Sequence, residues 1–312
     1  MKTTLQQRIE ANGKVSDRSL SIERTPAVMA SRLTQYPLAI TAEGFRAFAD
    51  RLRALPEALR AVQSVQSVHT VKDGLDISIE DFFTPRPPMS VGPDGIAQVT
   101  LCGVIAPGMP GIFEKLLGNT DSQTFRAEMM QCAGDAKVRG VLLNVDSPGG
   151  STVGHDECRT AVMAVRNAGK PVLAYVHGES CSAAYGPSAM ADFVYASESS
   201  ILGNIGSILT RLDWSAWGEE MGIKSEVFAS DELKATFADE LQPTSAAQAA
   251  FVQEFVKASA DRFKASVAAA RPQIAAEDMA GQWFWAPEAV AKGFADFIST
   301  PQKAYADLLG ML

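Results

Sequence analysis

Gly140-Val141-Leu142-Leu143-Asn144-Val145-Asp146-Ser147-Pro148-Gly149-Gly150 reads as a short apolar run that ends in a Pro-Gly-Gly turn. A run of that length, rich in Val and Leu, suits a strand buried on both faces, as in a parallel sheet. Working outward, the pattern repeats. Ala97 to Ile105 reads as a strand and Ser122 to Ala133 as a helix. Beyond the glycines, Thr152 to Asn167 reads as a helix, Pro171 to Val176 as a strand, Ala183 to Ala191 as a short helix and Phe193 to Ala196 as a strand. Strands alternating with helices predict an α/β domain with largely parallel pairing, whose functional loops gather at the carboxyl ends of the strands. A longer helix from Ser245 to about Ala269 places Phe251, Val252, Phe255, Val256 and Phe263 on one side. That stripe predicts packing against a sheet or a neighbouring subunit.

The rest of the chain divides at its prolines. Thr84-Pro85-Arg86-Pro87-Pro88, followed by Gly92-Pro93-Asp94-Gly95, cannot sustain a helix or a central strand, because proline lacks a donor and glycine favours turns. The predicted division is therefore 1-93, an N-terminal arm and helical docking region, and 94-312, the catalytic domain. Within the first part, residues 1 to about 34 are polar and aperiodic. From Thr41, Phe45, Phe48, Ala49, Leu52 and Leu55 fall at helical spacing before Pro56.

The 312 residues are 46% hydrophobic and 21% charged, which is ordinary for a folded protein with room for a core. A net charge of -8, with no dense Lys/Arg run, argues against a nucleic-acid partner. No apolar stretch reaches the roughly 18 residues of a membrane span, and Met1 to Arg24 does not look like a signal peptide, so no membrane is expected. Cys102, Cys132, Cys158 and Cys181 form no Cys-x-x-Cys pair, which predicts neither a metal site nor a disulfide framework and fits a reducing cytoplasm.

Three stretches carry chemistry. Glycines 149 and 150 at a strand end let main-chain amides turn toward a ligand with no Cβ in the way, as an oxyanion hole requires, although an ordinary strand-to-helix turn has the same composition. Ser182, in Ser180-Cys181-Ser182-Ala183-Ala184-Tyr185, stands where a helix begins, so a developing alkoxide would meet the positive end of the helix dipole. Close packing of that helix on the sheet would also call for small residues, and Ser180 and Cys181 compete as nucleophiles. The only histidines are His69, His155 and His177, which makes a Ser-His-Asp triad thin and leaves Lys234, in Asp231-Glu232-Leu233-Lys234, as the candidate base. A lysine amine is charged at neutral pH unless desolvation or a positive dipole removes the proton. A shift of about three units corresponds to about 4 kcal/mol, so this role demands a dry environment. A solvated loop lysine is the ordinary alternative.

Taken together, these stretches give the chain a resemblance to the signal peptide peptidase A family of serine peptidases, and most closely to its phage branch, the head-maturation (prohead) proteases. The similarity spans roughly Ile96 to Ile298. It rests on Asn144 to Gly150, on Cys181 to Tyr185, on Leu202-Gly203-Asn204-Ile205-Gly206-Ser207-Ile208, and on Lys234 ahead of the Pro243-Thr244-Ser245 helix start. The resemblance implies Ser182 as nucleophile and Lys234 as general base. It also implies an oxyanion hole from the amides of Gly150 and Ala183 in a loop shaped by Gly149, with Asn204 standing where the family usually has a serine that orients the lysine. It implies a Clp-protease/crotonase-like superhelix of ββα units, homo-oligomeric rings and no cofactor or metal. The substrates it implies are capsid, scaffold or portal proteins cut in the host cytoplasm during procapsid maturation. Three other readings share these features: a cytosolic enzyme that degrades peptides, a crotonase-like acyl-CoA enzyme, which needs neither Ser182 nor Lys234, and a noncatalytic capsid assembly protein that retains the fold.

Overall fold

A computed structural model describes residues 89-108 and 118-312, together with the backbone of residues 38-40. The expected arm over 1-34, the helix from Thr41 and the proline segment 84-88 lie outside the described residues. The strands are β1 (Leu38–Ile40), β2 (Ser90–Val91), β3 (Ile96–Ala106), β4 (Thr120–Asp121), β5 (Gly140–Ser151), β6 (Val172–Cys181), β7 (Phe193–Ala196), β8 (Ile201–Gly203), β9 (Trp283–Trp285) and β10 (Phe297–Ile298). The helices used below are α1 (Ser122–Gly134), α2 (His155–Asn167), α3 (Tyr185–Ala189), α4 (Ser215–Glu220), α5 (Ala246–Ala270), α6 (Ala286–Ala291) and α7 (Pro301–Gly310).

The spine of the sheet runs β10-β7-β6-β5-β3-β2, and every neighbouring pair from β10 to β3 is parallel. The mixed α/β expectation from the apolar runs holds. Val141, Leu143 and Val145 of β5 face the same side as Val99 and Leu101 of β3. There they meet Phe125, Met129 and Cys132 of α1 and Cys158, Ala161, Val162 and Val165 of α2, which recur at helical spacing. On the opposite face, Leu142, Leu173, Tyr175 and Tyr195 pack against Ala304 and Leu308 of α7. Each Val, Leu, Phe or Met side chain so taken out of water contributes about 1.5–3 kcal/mol, so the doubly covered centre is the best-secured part of the described structure. Asp121 caps α1, its carboxylate accepting from the amides of Gln123 and Thr124 at 2.8 and 2.9 Å. The Gly92 to Gly95 stretch is the expected turn, joining β2 to β3, with Gly95 at φ +84°.

Several boundaries differ from expectation for local reasons. β5 does not stop at Val145 but continues extended through Pro148 to Ser151. Its pairing with β6 is irregular between Val145 and Ser147, and a proline is tolerated where the ladder is interrupted. α2 accordingly begins at His155, after Gly154 in the left-handed conformation, rather than at Thr152. The expected helix over Ala183 to Ala191 is instead a 3-10 turn, Ser182–Ala184, followed by the five-residue α3. α5 matches its predicted span, and its start is fixed by a reciprocal capping box between Ser245 and Gln248. Its apolar stripe is fully buried only in its second half, at Phe263 and Val267; Val252 and Val256 are half-buried, and Phe251 and Phe255 are exposed and stack on each other. Among the described residues no helix is long and apolar enough to cross a membrane.

Candidate active site

Ser182 follows the last residue of β6, the central strand. On one side β6 pairs with β5 as far as Ser180 opposite Ser147; on the other it pairs with β8, ending with Cys181 opposite Gly203. This register brings Ser182 to the level of Gly149 and Gly150 on one flank and of Asn204 on the other. Ser182 is 2% exposed and adopts φ 53°, and Asn204 adopts φ 55°; among the described residues these are the only non-glycine residues with positive φ. A serine held there costs about 1–3 kcal/mol, and such outliers persist where the surrounding structure enforces them, most often at functional sites. The Ser182 hydroxyl makes no hydrogen bond to the described residues, and the amides of a first helical turn, Ala183 among them, have no acceptor within that turn.

The neighbouring candidates are already committed. The Ser180 hydroxyl is buried and 2.9 Å from that of Ser188, which in turn donates to the Ala184 carbonyl at 3.1 Å. Cys181 is fully buried, its thiol directed at the Ile201 carbonyl, and burial pushes its pKa far above the ordinary thiol range, which removes the thiolate a cysteine nucleophile needs. Burial likewise pushes the Cys132 and Cys158 thiols up to about 12. Of the Ser180-Cys181-Ser182 run, only Ser182 is left available.

The glycine loop is shaped by main-chain crowding. A Cβ on Gly150 would lie 2.0 Å from the Ile105 carbonyl oxygen and 2.6 Å from its nitrogen, so only glycine lets β5 approach β3 there. Gly149 adopts φ 110°, open to glycine alone at no cost. Ser147, which carried no catalytic expectation, organises the loop: its buried hydroxyl donates to the Gly103 carbonyl at 2.6 Å and accepts from the Gly149 amide at 3.2 Å. Its position inside Asp-Ser-Pro-Gly-Gly was the available signal, but nothing in sequence links it to Gly103.

Lys234 sits elsewhere in character. It lies on an exposed 3-10 turn, Glu232–Ala235, and its side chain has no hydrogen-bond or ion-pair partner among the described residues. The turn is tied to the start of α5 through Gln248, which donates to the Glu232 carbonyl at 3.0 Å, and through Ser245, which donates to the Glu232 carboxylate. Asn204 is half-buried, its amide donating to the Gln282 carbonyl at 2.6 Å, and no hydrogen bond joins its side chain to Lys234. The structure thus gathers Gly149, Gly150, Ser182, Ala183 and Asn204 at one end of the sheet, and places Lys234 on a solvated turn.

The histidines are not arranged as bases. His177 is exposed and stacks near Tyr175. His155 is buried at the start of α2, edge-on to Phe263 at 4.6 Å and close enough to Gly186 that a Cβ there would be 2.0 Å from its Nε2. Desolvation lowers its pKa to about 4, which keeps the ring neutral as a packing element. His69 lies outside the described residues.

Comparison with known proteins bears on this arrangement. Residues 164–309 match the model of Peptidase family S49. That stretch contains Ser182, Ala183, Asn204 and Lys234, whereas the glycine loop precedes it. An Enterococcus faecium protein carrying the name SppA is 29% identical over 67% of this chain and 61% of its own length. Protease 4 of Salmonella typhi is 33% identical over 42% of this chain and 20% of its own length. Capsid assembly protease C of Escherichia phage lambda is 27% identical over 45% of this chain and 32% of its own length. The chain therefore spans less than two thirds of each of these relatives. These matches make the chain similar to Peptidase family S49 and to SppA-like proteins. Among solved structures, an enoyl-CoA hydratase/isomerase from Marinobacter aquaeolei is similar with a TM-score of 0.41 and 10% identity, over 72% of this chain and 74% of that one.

Proposed function

We propose that this chain is a serine endopeptidase of the S49 kind that acts through a Ser-Lys dyad. The observation that carries the reading is the strained, buried Ser182 set between Gly149–Gly150 and Asn204 at the end of the central strand. In the proposed reaction Lys234 Nζ, uncharged, takes the Ser182 proton and Oγ attacks a peptide carbonyl carbon. The oxyanion is received by the amides of Gly150 and Ala183, and the lysine proton passes to the leaving amine. Water then hydrolyses the Ser182 ester. Asn204 orients the amine through its side-chain carbonyl.

This reading needs a dry lysine, and a second copy of the chain is the proposed cover. The segment around Lys234 exposes Trp214, Trp217, Leu233, Phe237 and, at 92%, Phe228, alongside Phe251 and Phe255 of α5. Large apolar side chains grouped in this way mark an association surface. The proposed substrates are capsid, scaffold or portal proteins, in keeping with the name of the phage lambda relative, and the proposed setting is the host cytoplasm. Coexpression with candidate capsid and scaffold substrates, read by intact mass, tests the whole reading. Cleavage by the wild type and none by Ser182→Ala or Lys234→Ala, both folded, is expected. Unchanged products from Lys234→Ala would remove the base, and unchanged products from Ser182→Ala would remove the peptidase.

A further inference from the structure

The edge of β5 beside Ser182 is already taken. β6 accompanies β5 only as far as Ser147 opposite Ser180, while β3 stays paired on the other edge through Ile105 opposite Gly150. Along the edge that β6 has left, β1 runs antiparallel, with Leu38 opposite Ser151, Ala39 opposite Gly150 and Ile40 opposite Gly149. Cα atoms of β1 also come within 8 Å of the Ser182–Ala184 turn. Three residues of the chain's own backbone therefore lie extended between the glycine loop and the turn that carries the nucleophile. A peptide added as a strand to a sheet edge gains its affinity from main-chain hydrogen bonds, and it would use this same edge.

Resting on the reading of Ser182 above, we propose that residues 38–40 occupy in cis the place of a peptide substrate. An incoming extended peptide with a small residue between apolar ones, the chemistry of Leu38-Ala39-Ile40, displaces this strand before it reaches Ser182. The competing strand lowers the fraction of molecules able to bind in trans, and apparent affinity falls by that fraction.

The test uses the full chain and a peptidyl phosphonate diphenyl ester ending in Leu-Ala, a reagent that esterifies active serines. Ala39→Pro at the middle of the strand removes a backbone donor and disfavours pairing; Ile40→Pro makes the same change at the strand's last residue. Both variants are expected to label about tenfold faster than wild type, and a synthetic peptide of residues 36–43 is expected to slow them again in competition with the reagent. Intact mass on the same samples reports water added across the Ala39–Ile40 amide. Such a product in the wild type, absent from Ser182→Ala, also supports occupancy, in a productive register. Equal labelling of Ser182 in all three forms, an intact chain and no effect of the peptide overturn the proposal while leaving the nucleophile in place. No labelling of any folded form overturns the Ser182 reading and this one with it.

Discussion

The end of the sheet around Ser182 and the segment from Ile208 to Phe255 around Lys234 are secured in different ways. At the sheet end, position follows from backbone packing. β5, β6 and β8 fix the register, Gly150 fits only because it lacks a Cβ, and buried hydroxyls of Ser147, Ser180 and Ser188 tie the connections together. In the second segment, position follows from polar ties. Arg211 donates to Thr244 and to the carbonyls of Asp239 and Gln242, Ser225 donates to the Asp239 carboxylate, and the apolar side chains of α4 and its surroundings point outward. The contrast teaches that backbone packing holds Ser182 and the glycine loop in place within one chain, while the dry surroundings that the proposed lysine base requires would have to come from the proposed second copy.

Substitutions on the two sides should therefore fail differently. Gly150→Ala, which drives a Cβ into the Ile105 main chain, is expected to destabilise the protein by more than about 4 kcal/mol, read by urea unfolding, and to abolish activity. A loss below about 1 kcal/mol would show that the loop is not held as described. Lys234→Met should do the reverse. Removing a general base costs about 10²–10⁴ in rate, while an exposed side chain without partners contributes within about 0.5 kcal/mol to stability. A large fall in the unfolding midpoint of Lys234→Met would erase the distinction between the two regions.

His155 sharpens the buried side. Its pKa is lowered from the ordinary 6.5 to about 4 by burial, so between these values the unfolded chain binds a proton that the folded chain does not. Stability contributed by the neutral ring is complete above about pH 6.5 and is lost as pH falls toward about 4, by about 3 kcal/mol in all. Urea unfolding of His155→Leu across this window should show a flatter pH dependence than wild type. Phe228→Ser gives the smallest effect on the isolated chain, within about 0.5 kcal/mol, yet it is expected to lower both the sedimentation coefficient of the assembled form and the specific activity at low protein concentration. Activity of wild type independent of concentration, and unmoved by Phe228→Ser, would mean that one copy suffices.

The sheet was legible because strands buried on both faces leave continuous apolar runs, as in Val141 to Val145 and Val172 to Val176, and because Ser245-x-x-Gln248 announces a helix start. The candidate residues that the sheet end brings together stand in sequence as short motifs of small residues. What escaped sequence reasoning depends on pairing between distant segments. Pro148 suggested a turn where β5 remains extended, Ser147 gains its role only from Gly103, and Leu38–Ile40 carries no local signal of the strand it forms against Gly149–Ser151. The proposed cover of Lys234 was unreadable for a related reason: contact with a second copy is not a property of one chain's periodicity.

The central claim is that Ser182 is the activated nucleophile and that Lys234 activates it. Its most direct test is a peptide map of the full chain after reaction with a fluorophosphonate, wild type beside Lys234→Met. The account predicts a single adduct on Ser182 in the wild type and its loss, or slowing by about 10²-fold or more, in the folded variant. An adduct on Ser180, or equal modification of Ser182 in both proteins, would contradict it.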